Sequence, residues 1–283
     1  GLYLWFVNQV ADQIGKEMPG KLIGTLAYQF TEAPPKNIVP AKNVRVRLCP
    51  INVCEAQPYE TDTFPATQAF MKNLSGWGSI TNTLYIWHYS TNFANYLMPF
   101  PDFNQFPDSI RLYRKSGVRG IFFEGDYADG GGGSDAELRS WVMAKLLWNP
   151  ELDASKLVTE WMQGVYGPAW KPMRAWFNLL HDKVRDPKQH FFIYSGVNIY
   201  YLSPDVIRQG DKLFAKAEKL AGDDDTAKAY VAKAKLSLRY VELEQRPQGG
   251  PALDSFIADV KKAGIKEIRE GQPVDAWASG FRS

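Results

Sequence analysis

The sequence predicts an α/β protein: a parallel sheet with helices outside it, followed by a region of helices alone. Three observations point there. Strand-like and helix-like segments alternate through the first 150 residues. The strand-like segments are short and nearly all apolar, as parallel strands buried on both faces are. After "LLWNPELD" the strand signals stop and amphipathic helical periodicity takes over. The reading divides the chain into residues 1–150 and 151–283.

The opening "GLYLWFVNQVADQIGKEMPG" lacks the basic start and small-residue cleavage site of a signal peptide. It reads as an amphipathic helix already under way, with Phe6, Val10 and Ile14 on one face, ended by Pro19 and Gly20. Without an initiating Met, the chain reads as the C-terminal part of something longer. The first strand is expected over Lys21–Tyr28 and the second over Val44–Ile51, where only Arg45 and Arg47 alternate with apolar residues. A helix is expected over Thr67–Trp77, then a third strand, "NTLYIWHY". A long aromatic loop follows. Asp108 caps a helix through Lys115, "RGIFFE" is the fourth strand, and Ser134 or Asp135 caps a helix to Trp148. Further helices are expected over 153–165, 167–185, 203–221, 224–246 and 251–269.

Composition narrows the function classes. With 45% hydrophobic and 23% charged residues the chain is an ordinary globular one. A net charge of +2 gives no field favouring nucleic acid or an anionic membrane, and no apolar run is long enough to span a bilayer. The 14% aromatic content fits either a ring-rich core or a site that stacks flat apolar faces. Neither a dinucleotide nor a P-loop glycine pattern occurs, so no cofactor is expected. Cys49 and Cys54 form no disulfide framework and lack zinc-site spacing, so no metal is expected; a local disulfide or two free thiols remain.

Chemistry in parallel α/β proteins sits at the carboxyl ends of the strands. Those ends carry Tyr28, Cys49 to Asn52, Trp87–His88–Tyr89, and Glu124 with Asp126. Glu124 and Asp126 lie two residues apart, a spacing that puts both on one face of an extended chain. There they can share acid–base work or hold sugar hydroxyls; the plainer reading is a helix cap or a salt bridge. His88 reads as a core residue or a contact. Trp87, Tyr89, Phe93, Tyr96, Phe100, Phe103 and Phe106 crowd one strand end and its loop, either as platforms for a pyranose ring or as packing. Gly130 to Gly133 read as a flexible connection into the next helix.

Long stretches carry a resemblance. "KLIGTLAYQFTEAPPKNIVPAKNVRVRLCPI", "LYIWHYSTNFANYLMPFPDFNQFPDSIRLYRKSGVRGIFFEGDY" and "ELRSWVMAKLLWNPELDASKLVTEWMQGVYGPAW" resemble the domain-of-unknown-function family DUF4838, and "YYLSPDVIRQGDKLFAKAEKLA" is similar to its helical tail. The resemblance implies a secreted or periplasmic bacterial carbohydrate-active protein, similar to glycoside hydrolase family 163, whose members are endo-β-N-acetylglucosaminidases acting on complex N-glycans. It implies that the four strands are the second half of a (β/α)8 TIM barrel followed by the all-α region. The partner of the half-barrel would be the missing N-terminal half, which would bring the general acid. Glu124, ending the last barrel strand, would then serve catalysis by holding sugar hydroxyls. Tyr28, Asn52, Trp87, His88, Tyr89, Asn92, Phe93, Asp126 and Tyr127 would be substrate contacts. A non-catalytic carbohydrate-binding protein on the same scaffold and a metal-dependent hydrolase are the competing readings.

Overall fold

The computed structural model describes residues 1–128 and 132–281, in two compact units. The first comprises residues 1–54, 58–90 and 108–124; the second comprises 55–57, 91–107 and 125–283. The expected boundary at residue 150 therefore lies inside the second unit.

In the first unit, α1 (Leu2–Glu17) leads into β1 (Ile23–Ala27) and β2 (Val44–Leu48). Then come α2 (Pro65–Ile80), β3 (Leu84–Tyr89), α3 (Phe106–Lys115) and β4 (Gly120–Glu124). The four strands form one parallel sheet in the order β1-β2-β3-β4. That order never reverses. Right-handed crossovers that always step the same way place their helices on the same side of a sheet. The burial agrees: one face is the core and the other is not. Val44, Val46, Leu48, Leu84 and Ile86 pack under Leu4, Val7 and Ala11 of α1, Phe70, Leu74 and Trp77 of α2, and Leu112 and Tyr113 of α3. Each such side chain, fully buried, contributes roughly 1.5–3 kcal/mol. The opposite face leaves Leu26 38% and Phe122 46% exposed.

The first helix buries a different stripe from the one expected. Leu4, Val7 and Ala11 face the sheet, while Phe6 is 59% exposed and Val10 is exposed too. Its start, Leu2 to Val7, is apolar all round, so periodicity there does not choose between two stripes; packing against β1 and β2 does. The third helix begins at Phe106, before Asp108, whose carboxylate instead sits in the first turn and pairs with Arg111 at 2.6 Å.

The second unit contains α4 (Ala136–Trp148), α5 (Ala154–Tyr166), α6 (Trp170–Lys183), α7 (Pro204–Ala221), α8 (Asp225–Gln245) and α9 (Pro251–Lys262). Asp153, Ser203 and Asp224 cap α5, α7 and α8 by accepting the N–H three residues on. Asp135 stands at the cap position of α4 but makes no side-chain cap bond and lies in the left-handed region at φ 55°. The expected helix to residue 269 stops at Lys262. Gly264, at φ +79°, turns the chain into an antiparallel pair, β5 (Glu267–Arg269) and β6 (Gln272–Pro273), before α10 (Val274–Ser279). This region is thus not wholly helical. Among the described residues, no helix is long and apolar enough to cross a membrane.

The 91–107 loop of this unit is a packed structure. Buried Arg139 donates through Nε to both Asp102 oxygens at 3.0 and 3.1 Å, through Nη1 to Ser134 O and through Nη2 to Phe100 O, each at 2.7 Å. Four donated bonds from one guanidinium fix the loop on the start of α4. Gly130 and Gly131 lie outside the described residues. At Gly132 the need for glycine is steric: φ is +142°, and a Cβ would stand 2.8 Å from Ile265 Cγ2.

Candidate functional site

Parallel pairing brings the four carboxyl ends of the first unit to one edge of the sheet. Pleating then sorts their side chains. On the face that the helices leave open, Leu26, Arg47, Tyr85 and Gly120 stand in one row by register. Nearer the carboxyl edge, Trp87 pairs with Phe122 and Tyr89 with Glu124.

Glu124 is the best-held group there. Its Oε2 accepts a hydrogen bond from Trp87 Nε1 at 2.7 Å, and its backbone carbonyl accepts from Ser90 N at 2.8 Å and Ser90 Oγ at 2.9 Å. Trp87 is itself set by an edge contact with Phe122, centroids 4.7 Å apart. Deeper on the same face, the Arg45 guanidinium lies 4.4 Å from the Tyr85 ring centre. Gly120 makes room for that ring, since a Cβ there would stand 2.7 Å from Tyr85 Cδ1.

Two further groups act on this edge. Cys49 is a buried free thiol pushed up to about 12, first by burial, then by the charges of Glu32 and Glu124, against the pull of Arg47. A thiol so far above neutrality is a poor nucleophile. Glu32, which follows the short turn after β1, is half-buried. Burial raises its carboxyl above the usual range, while Asn73 Nδ2, donating at 3.1 Å, opposes the shift. Its backbone carbonyl accepts from Trp77 Nε1 at 2.7 Å. Glu32 was not among the expected site residues, because "TEAPPKN" reads as an unstructured proline-rich loop; its only signal is a carboxylate just past a strand end.

The remaining expected contacts separate. In the first unit, Tyr28 is partly exposed and its hydroxyl accepts from Gln29 Nε2 at 3.1 Å, Asn52 is exposed in the turn after β2, and Tyr89 is 7% exposed. His88 is placed elsewhere. Alternation turns it to the helix side, where it is fully buried against Tyr59, Tyr113 and Phe123, with Nδ1 3.0 Å from Tyr113 Oη. Burial lowers its pKa to about 3, so it is a neutral core residue that meets no ligand as it stands.

In the second unit, Asn92 is 1% exposed and donates to Ser195 O at 2.7 Å, so it ties two loops together and does not reach outward. Phe93 is buried against Tyr96 and Tyr194. Tyr96, Phe100, Phe103 and Phe106 are buried as well, so the rings of this loop pack it and offer no platform. Asp126 and Tyr127 do reach the surface. Asp126 accepts from Gly133 N, and partial burial raises its carboxyl. Tyr127 is 61% exposed and donates to Glu270 Oε1 at 3.3 Å.

Taken by itself, the edge of the first sheet can hold a hydroxylated ligand. It has a fixed carboxylate to accept hydroxyls, indole and phenyl rings to lie against an apolar face, and a second, burial-raised carboxyl nearby. No curated protein and no solved structure matches the chain. Residues 1–178 match a family described as a domain of unknown function, DUF4838. That match spans the four-stranded parallel sheet and more than half of the sequence, and the chain belongs to the DUF4838 family.

Proposed function

We propose that this chain carries the C-terminal half of the (β/α)8 barrel of a glycoside hydrolase similar to family 163, acting on β-linked N-acetylhexosamine-containing glycans such as N-glycans. The observation that carries the reading is the open sheet face ending in the Trp87–Glu124 pair. Open α/β sheets are covered by helices on both faces, whereas a barrel turns one face inward onto more of the same sheet. A four-stranded sheet with unreversed order and helices on one side has the character of a barrel segment. The exposed apolar side chains on its bare side, Leu26 and Phe122, are those that four further strands would cover.

In this reading Glu124 holds substrate hydroxyls at the barrel mouth, Trp87 orients it and offers a ring, and the general acid comes from the half that completes the barrel. The protein acts outside the cytoplasm, where such glycans occur. The test uses the natural polypeptide that contains this chain. Incubation with a complex N-glycopeptide should release an N-glycan, and Glu124→Gln should cut the rate while melting stays unchanged. Binding of the glycan without cleavage by the wild type would favour the carbohydrate-binding protein instead.

A further inference from the structure

We propose that the β5–β6 hairpin, which lies beyond the family-matched residues, supplies a second sugar contact: Glu267 and Glu270 accept ligand hydroxyls beside Asp126 and Tyr127. The inference deepens the glycan reading above and rests on it for the choice of ligand. Its basis lies wholly within the second unit.

The hairpin is docked on the 91–107 loop by its backbone. Tyr96 N donates to Ile268 O and Glu270 N donates to Phe93 O, both at 2.9 Å. Ile268 is buried, so its strand neighbour Glu267 alternates away from the packed side, whereas Glu270 stands in the turn after β5. Glu270 there receives the Tyr127 hydroxyl.

A group of carboxylates alone is no site. The additional feature is the Tyr96 hydroxyl. Tyr96 is 1% exposed, and its hydroxyl has no hydrogen-bond partner among the described residues. The ionisable groups that act on it are Tyr127, Glu270, Asp126 and Glu267. A buried hydroxyl without a partner costs free energy, so one retained beside the docked hairpin calls for an explanation. A ligand oxygen would satisfy it.

The chemistry selects the ligand class. Ionised carboxylates only accept, a phenol can donate, and an exposed phenol ring offers an apolar face. Alternating donors and acceptors around a ring-sized apolar face is the pattern of a sugar. Among the described residues, the carboxylate oxygens here are not drawn together into a cluster that could grip a metal ion.

The test titrates the whole protein with N,N′-diacetylchitobiose by calorimetry, for the wild type and for Glu267→Gln, Glu270→Gln, Tyr96→Phe and Glu124→Gln. Each of the first two should weaken binding about tenfold, the value of a lost charge-assisted hydrogen bond. Tyr96→Phe should also weaken binding while raising the melting temperature, because it deletes an unsatisfied buried hydroxyl; a merely structural Tyr96 would not move both in opposite directions. Wild-type affinity in all three, with loss only in Glu124→Gln, would overturn this inference and leave the glycan reading standing. Weakening in the three with no effect of Glu124→Gln would support the hairpin contact and count against the site at the sheet edge. Saturable calcium binding that these variants abolish, with no saccharide binding, would overturn the inference in favour of a cation site.

Discussion

Trp87 Nε1 and Glu124 Oε2 lie 2.7 Å apart across the β3–β4 pair, on the side of the sheet that the helices do not cover. The indole is a donor with no other polar role, and the carboxylate is an acceptor held at its own backbone by Ser90. Trp87→Phe keeps a ring against Phe122 and deletes the donor together with part of the indole's bulk. It is expected to cost about 1.5–3 kcal/mol of stability, as loss of a hydrogen bond to a charged group does, and to weaken glycan binding at least as much. Urea unfolding and calorimetry on the same preparation check this. A variant with wild-type affinity would remove Trp87 from the site.

Gly120 and Tyr85 form a steric pair on the same face. Gly120→Ala would force its methyl into the phenol ring and is expected to destabilise by about 1–3 kcal/mol. Adding Tyr85→Ala should make the alanine tolerable, so the double variant should be more stable than the sum of the singles predicts. Additive losses would mean that the two side chains do not meet.

Arg139 and Asp102 form a buried ion pair in the second unit, 4% and 1% exposed. Arg139→Met leaves a carboxylate without its partner and frees two carbonyls, and is expected to cost about 3–5 kcal/mol. Arg139→Met combined with Asp102→Leu should regain part of that loss, since the stranded charge is gone. Chemical denaturation of the three proteins decides it; a harmless single substitution would contradict the pinning of the 91–107 loop.

The parts that the sequence made legible, and those it hid, differ by physical cause. The four strands were readable as short, mostly apolar runs between turn signals, and each was found to within three residues at its ends, although the expected burial on both faces gave way to one open face. Alternation at Arg45 and Arg47 already hinted that one face of the sheet differs from the other. The buried stripe of α1 was not readable, because Leu4–Val7–Ala11 and Phe6–Val10 both satisfy helical spacing and only tertiary contact separates them. The hairpin after α9 was missed because "KEIREGQP" has few β-branched residues, and its turns rest on Gly264 and Gly271 at positive φ, which composition does not announce. Of the candidate contacts, Glu124 and Trp87 meet as diagonal neighbours that the pleat puts on one face of the β3–β4 pair. His88, Asn92 and Phe93 share the local signature of a polar or aromatic residue near a strand end, and whether such a residue faces in or out depends on pleat and loop packing.

Two buried histidines set the acid limb of stability. His88 is lowered to about 3 by burial alone. His181 is lowered to about 3 by burial as well, with Nδ1 facing Phe177 O at 2.7 Å and Nε2 accepting from Phe103 N at 3.3 Å, an arrangement that suits the neutral ring. Unfolded histidine takes a proton near pH 6.5, so between that value and about 3 the unfolded chain holds the extra protons. The contribution is fully present above pH 6.5 and is lost as pH falls toward 3, on the order of 5 kcal/mol for each ring. Urea midpoints should therefore fall between pH 7 and pH 4, and His88→Phe should flatten part of the slope. Equal slopes in the wild type and the variant would contradict the buried neutral ring.

The central claim is that Glu124 serves a glycan-cleaving site completed by strands outside this chain. It is tested most directly by release of N-glycan from a complex N-glycopeptide, followed by mass spectrometry, with the natural polypeptide and its Glu124→Gln variant. The account predicts cleavage by the wild type and a rate about 10- to 100-fold lower in the variant, the cost of losing a hydrogen bond to a charged group, with unchanged melting. Equal cleavage by both proteins, or no cleavage and no binding by the wild type, would contradict it.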